Sequence, residues 1–315
     1  MSDAADPHAA AFGETYLRVP DLFPARQAGE AWGARELTVD FVGGPYRFTG
    51  LSAGQAKQLR GRFEQMVAEN LPATVSVAVM RVAASEFKPI ELDGWSYTFD
   101  RNYLPRSVEV AGLDFMGRVD FEPTLSAALW TPLGDGPFFL SQAENFFRLL
   151  VAYRLLALGG VLFHSAAVVS RRVAYLFLGH SGAGKSTISR LSLASGREVL
   201  SDDMNALCPV DGLPHIEKLP FAGDLGNRPG PRQSFPLAAV CRLRQGEHGV
   251  RPMTTAEAVA FLIGCAPFVN VDPHRAERLT DNLLNLVRGF PMRELTFAKD
   301  PGFWPLIEEN PGENR

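Results

Sequence analysis

Cysteine is scarce in this chain: three in 315 residues, at Cys208, Cys241 and Cys265, with no C-x-x-C pair. An odd, widely spaced set offers neither a disulfide framework nor the ligand spacing of a zinc site. The three read as reduced, small apolar residues of a cytosolic protein. Positive charge is not in excess either. Thirty-one Lys and Arg against 35 Asp and Glu leave a net charge of −4, which gives nothing to displace counterions from a polyanion, so no nucleic-acid partner is expected. There is no apolar run of about 18 residues, and therefore no expected membrane span. Residues 1–11 are acidic and Ala-rich. They lack the basic start and apolar centre of a secretory signal, so a cytoplasmic location is expected. Repeats and low-complexity segments are missing too, and the length allows one large domain or two ordinary ones.

What the chain does contain is one strong motif. Gly179-His180-Ser181-Gly182-Ala183-Gly184-Lys185-Ser186-Thr187 reads G-x-x-x-x-G-K-S, a phosphate-binding P-loop. The apolar run before it, Val173 to Leu178, is a strand candidate rich in β-branched and aromatic residues. Gly179, Gly182 and Gly184 remove Cβ atoms, so the loop can take positive φ and bring its amides close to an anion. Ser181 and Ala183 complete the cradle. From Lys185 a helix is expected, with its first N–H groups aimed at the same anion. Lys185 supplies a point charge for the β- and γ-phosphates, and Ser186 offers a hydroxyl to Mg²⁺. The expected ligands are ATP and Mg²⁺.

The remainder is organised around this stretch. Residues 1–35 lack periodicity and read as a loosely held leader. Residues 36–158 form a strand-rich α+β module, with strands at Leu37–Val42, Tyr46–Phe48, Val75–Val79, Tyr97–Phe99, Ser107–Val110 and Arg118–Phe121. Ser52 with Gln55 makes a capping box for a helix whose apolar face is Leu59, Phe63, Met66 and Val67. Ser141 with Glu144 makes a second box. The strongly apolar helix after it, ending at Gly159-Gly160, marks the boundary between two modules. Residues 159–304 are expected to be an α/β P-loop domain. In it a strand from Val161 to Val169 turns at Ser170-Arg171-Arg172 into the P-loop strand as an antiparallel hairpin. Glu198–Leu200 forms a strand that runs parallel to the P-loop strand. Residues 209–236 read as loop-rich, Ala238–Leu243 and Met292–Phe297 as strands, and helices start at Thr254 and at Asp272-Pro273. Residues 305–315 read as a polar tail.

Two adjacent carboxylates, Asp202 and Asp203, follow the short strand after the P-loop helix. Standing alone, such a pair reads as a helix cap or a solvated turn. Beside a P-loop it can divide phosphoryl-transfer work: one acid serves Mg²⁺ and the other accepts the proton of an acceptor hydroxyl. His164, in an apolar strand, reads by itself as a satisfied core histidine. Asp224, in Phe221-Ala222-Gly223-Asp224-Leu225-Gly226, reads as a turn residue or as a metal ligand. Arg228, Arg232, Arg242 and Arg244 are candidates to neutralise the γ-phosphate, and nothing in the sequence chooses among them.

A strand with His, a P-loop, and a strand ending in Asp-Asp together resemble the catalytic domain of HPr kinase/phosphorylase. The resemblance is closer to the HPr-kinase-related kinases, and it covers Gly160 to Asp203, with a weaker match at Phe221–Gly226 and at Phe290–Phe297 with Phe303-Trp304. It implies a C-terminal-type HPr kinase fold and transfer of the γ-phosphoryl of ATP to a Ser/Thr hydroxyl of a protein or peptide. It also implies that Asp202 is the base, that Asp203 supports the metal with Ser186, and that His164 is the active-site histidine. The chain departs from that enzyme in having Thr187 after Ser186 and in its N-terminal module, which is expected to help recognise the substrate. A small-molecule kinase, a carboxykinase-like enzyme and a non-catalytic nucleotide-binding partner are the other readings, and a homo-oligomer is left open.

Overall fold

The computed structural model describes residues 12–20, 23, 29–90, 99–136, 138–221, 225 and 232–308. Among these residues the protein is mixed α/β, with two β-sheets and six α-helices. It divides into two compact units. The first is Met1–Asp40 with Gly44–Leu150; the second is Phe41–Gly43 with Val151–Arg315.

The first unit is built on a mostly antiparallel sheet of β1 (Glu30–Ala31), β2 (Arg35–Val39), β3 (Tyr46–Leu51), β4 (Val75–Arg81), β5 (Asp100–Tyr103), β6 (Ser107–Gly112), β7 (Phe115–Asp120) and β8 (Ser126–Thr131). The order is β2-β3-β4-β8-β7-β6-β5, with β1 paired to the end of β4. Alternation sets the faces: in β4, Val75, Val77 and Val79 are buried and the residues between them are not. Helix α1 (Ala53–Arg62) begins at the expected capping box, with Ser52 and Gln55 satisfying each other's backbone N–H. It stops before its apolar spacing does, since Phe63 is the C-cap and Met66 lies in a separate 3₁₀ turn.

Two expectations are corrected here, and a third lies mostly outside the described residues. The second capping box does not form: α2 (Phe139–Ala157) starts ahead of Ser141, and Arg62 pairs with the Glu144 carboxylate instead. The leader is not loose throughout, because Tyr16, Leu17 and Phe23 are buried against Ala111, Met116 and Trp130. Apolar side chains of this size contribute about 1.5–3 kcal/mol each when buried, enough to hold a segment that lacks periodicity. The strand expected at Tyr97–Phe99 has its first two residues outside the described residues, and Phe99 lies just before β5.

The second unit is arranged around β9 (Val161–Ser170), which is paired along both edges. Antiparallel β10 (Val173–Leu178) lies on one edge, and β11 (Glu198–Ser201) followed by β12 (Met204–Val210) lies on the other. Both β10 and β11 oppose β9, so they run in the same direction, as the sequence predicts, but with β9 between them. β14 (Ser234–Gln245) is parallel to β10 through its middle, Leu237 to Arg242, while its first residues pair with β13 (Leu213–Glu217). The pairings β10-β9-β12-β13-β14 therefore close into a circuit, and β16 (Arg293–Phe297) and β15 (Gly249–Pro252) extend the sheet beyond β14. Helix α3 (Lys185–Ala194) follows β10. Helices α4 (Thr255–Gly264) and α5 (Ala276–Gly289) pack on each other, and α6 (Trp304–Glu308) comes last.

Here too the structure amends the reading. The segment expected to be loop-rich contains a hairpin: Asp211 and Gly212 sit at φ 50° and 79° between paired Val210 and Leu213. Pro209 and Pro214, opposite each other in that ladder, disguise the Asp-Gly turn signal because proline is rare in strands. Helix α5 starts at Ala276, later than expected. Asp272 instead accepts from the His274 amide and the Tyr153 hydroxyl, both at 2.9 Å. The expected tail is helical through Glu308, with Trp304 and Ile307 buried beside Tyr175 and Phe177.

The β9–β10 hairpin puts Arg171 and Arg172 at φ 50° and 66°, where an L-residue loses about 1–2 kcal/mol. The turn geometry that matches strand twist demands positive φ whatever residues occupy it. Arg172→Gly is expected to raise stability by about 1 kcal/mol, read as a higher urea midpoint; a lower midpoint than the parent would refute the strain.

Candidate active site

The loop leaves β10 at Gly179 and enters α3 at Lys185. Its glycines are sterically required at both ends. A Cβ on Gly179 would lie 2.4 Å from the Ala183 Cβ, and one on Gly184, at φ +106°, would lie 2.7 Å from the Phe297 ring. Gly182 has open space around it but also has positive φ, +80°. His180, Ser181 and Gly182 are exposed, and Ala183, Gly184, Ser186 and Thr187 are half-buried, so the loop is open to solvent. No side chain caps the N-terminus of α3, which leaves a positive helix end facing the loop. Gln245, at the end of β14, donates to the Gly182 carbonyl at 2.7 Å and braces the loop.

Lys185 is buried and donates to the Gly179 carbonyl at 2.8 Å and to the His180 carbonyl at 3.4 Å. Burial lowers its pKa, while Cys265, Asp203 and Asp202 draw it back up. The acid pair is therefore close enough to the loop lysine for both charges to act on it.

The pair sits in a special piece of backbone. β11 and β12 follow one another along β9, with the register shifting by one residue between Val199 and Ser201. Such bulges re-aim side chains. Ser165 donates its N–H to the Asp203 carbonyl at 2.9 Å, and Asp203 donates to the Ser201 hydroxyl at 3.2 Å. The two carboxylates end in different surroundings. Asp202 is 5% exposed; its Oδ1 accepts from the Leu225 N–H at 3.3 Å, and its buried Oδ2 has no hydrogen bond among the described residues. An acceptor of that kind costs about 1–3 kcal/mol if nothing meets it, so it suits a hydroxyl donor or a cation. Asp203 is half-buried, with Oδ1 3.7 Å from His164 Nε2.

His164 is not a core histidine. Its side chain is 49% exposed, and its backbone N–H donates to the Cys265 carbonyl at 2.9 Å. Burial and then the Lys185 charge push its pKa down, and Asp203 opposes them. The structure thus brings Lys185, Asp202, Asp203 and His164 together. Cys265, which the sequence offered only as a reduced apolar residue, joins them because α4 ends beside β9. Its thiol is pushed up to about 11 by burial, with Lys185 and Arg242 pulling the other way.

Of the expected metal ligands, Ser186 is in the first turn of α3 and Asp203 is at the β11–β12 junction. Asp224 lies outside the described residues, as does Arg228. Among the described residues no three His, Cys, Asp or Glu side chains converge on a metal position. Mg²⁺ held between one or two protein oxygens and substrate phosphates does not need such a cage, and Ser186, Asp203 and the orphaned Asp202 oxygen fit that mode. Arg232 is committed to the buried Glu217, at 2.9 and 3.2 Å. No protein-family model matches the chain, and no curated protein matches it.

Two outcomes follow from this geometry. Gly184→Ala is expected to destabilise the second unit more than Gly182→Ala, which meets only the positive-φ penalty of about 1–2 kcal/mol; equal losses in a denaturant titration would refute the contact with Phe297. His164 is expected to titrate below the usual histidine range. Its pKa should fall further in Asp203→Asn and rise in Lys185→Met, as followed by imidazole NMR shifts. Because the folded pKa is depressed, His164 favours the unfolded state increasingly as pH falls through the ordinary histidine range.

Proposed function

We propose that this chain is an ATP-dependent kinase of the HPr-kinase-related type, with a P-loop kinase fold in its second unit, acting on a Ser/Thr hydroxyl of a protein or peptide. The observation that carries the reading is the placement of a solvent-open glycine loop and an acid pair on either side of β9, with both acid charges acting on Lys185. In this reading the loop amides and Lys185 hold the phosphate tail. Asp202, through its uncommitted oxygen, takes the proton of the acceptor hydroxyl as that oxygen attacks phosphorus and the bond to the β-phosphate oxygen breaks. Ser186 and Asp203 would hold Mg²⁺, which when bound neutralises charge on the phosphates. Acceptor recognition is assigned to the first unit.

A second reading exchanges the two acids. It is favoured by exposure: Asp203 is only half-buried and lies near His164, whereas Asp202 is buried. In that case Asp203 receives the acceptor proton and Asp202 supports the cation.

The test is incubation of the purified chain with Mg²⁺, γ-labelled ATP and host lysate, with phosphoserine and phosphothreonine read by mass. Lys185→Met is expected to lose transfer by at least about 100-fold while keeping its melting curve. The base variant, Asp202→Asn or Asp203→Asn, should lose a similar factor without altered Mg²⁺ dependence, and the metal-supporting one should shift that dependence. ATP binding without label on any hydroxyl would leave a nucleotide-binding partner and no kinase.

A further inference from the structure

The sheet brings another cation toward the loop. Arg242 is the β14 register partner of Leu178, the residue immediately before Gly179. Its neighbour Cys241 points into the core beside Ile188 of α3, so Arg242 leaves the sheet on the opposite face. There its guanidinium lies 4.8 Å from the ring centre of Phe261 in α4. Phe261 meets the ring of His180, inside the loop, edge-on at 5.8 Å. Arg242, Phe261 and His180 thus form one continuous wall beside the loop, and Arg242 and Lys185 both act on the Cys265 thiol.

Arg242 is also the least tightly held of the arginines around one buried acid. Three arginines surround one buried carboxylate, Glu294. Arg251 and Arg244 take its Oε1 at 2.8 and 3.4 Å. Arg242 is 3.7 Å from Oε2, an oxygen with no hydrogen bond among the described residues. The exposed Glu257 is the other acid whose charge bears on it. A guanidinium resting over a ring, with a loose ion pair and no hydrogen-bonded acceptor among the described residues, can be redirected at little cost.

We propose that Arg242 is the arginine that pairs with the terminal phosphate of a nucleoside triphosphate in the loop, with Phe261 as its shelf. The inference rests on the P-loop reading above and selects one arginine among those that the sequence leaves equal. The planar fork matches two phosphate oxygens and places charge where transfer develops it.

The test compares Mg-ATP and Mg-ADP binding by calorimetry. Arg242→Gln should weaken ATP about 10–100-fold and ADP less than about 2-fold. Arg242→Lys should recover part of the loss, and Phe261→Leu should show a smaller ATP-selective loss. Arg244→Gln, which removes a neighbouring charge on the same carboxylate, should leave both affinities unchanged. Melting curves establish that each variant is folded, and Arg242→Lys keeps the test valid if Arg242→Gln is not. Equal weakening of ATP and ADP, or none, overturns the role of Arg242 and leaves the loop reading standing. A parent protein that binds neither nucleotide overturns both.

Discussion

Backbone pairing on both edges of β9 is the constraint on which the candidate site depends. One edge holds β10, so the loop must begin where β10 ends. The other edge holds β11 and β12, so the acid pair must fall where those two meet. The bond from the Ser165 N–H to the Asp203 carbonyl ties the acids to the same strand that carries His164. A one-residue slip on either edge would turn alternate side chains to the wrong face, moving Ala166 and Val168 out of the core and the acids out of reach of Lys185. The apolar pattern of β9, buried at nearly every position but His164, is what resists that slip.

Within this frame the charges are arranged at some cost to folding. Lys185 is buried and would be easier to deprotonate if the acids were not near. Asp202 leaves one buried oxygen unmet, and Glu294 leaves another. Two glycines stand where any side chain would strike its neighbours. These departures lie on or near the loop, and Phe177, Phe297, Phe303 and Trp304 pack in the core of the same unit. An unmet carboxylate oxygen beside such a loop is one that a ligand can complete.

Local features were legible wherever their partners were local. The capping box at Ser52 and the helix start at Thr254 form as read because each needs only residues within one turn. The box at Ser141 does not form because the helix already begins at Phe139, and Glu144 pairs with Arg62, distant in the chain. The hairpin at Asp211-Gly212 carried a readable turn, but flanking prolines hid its strands. Tyr16, Leu17, Phe23 and Ile307 were misjudged for a common reason: an apolar side chain in a polar stretch is buried only if a surface elsewhere receives it. The choice among arginines could not be read at all, since it depends on β14 lying next to β10, a parallel pairing between strands separated by 55 or more residues of sequence.

The sequence by itself determined the loop: a run of glycines, a lysine and a hydroxyl, bounded by a strand and a helix, is a local object whose backbone freedom and charge are written in adjacent residues. It also determined that two acids would follow on a strand of the same direction, because a helical crossover permits little else. Only the tertiary structure decided that Asp202 is enclosed and Asp203 half-buried, that His164 faces outward, and that Arg242 and Cys265 stand beside the loop. Those outcomes depend on which strand lies beside which and on a one-residue bulge in the pairing, and such long-range hydrogen bonds leave no mark on neighbouring residues.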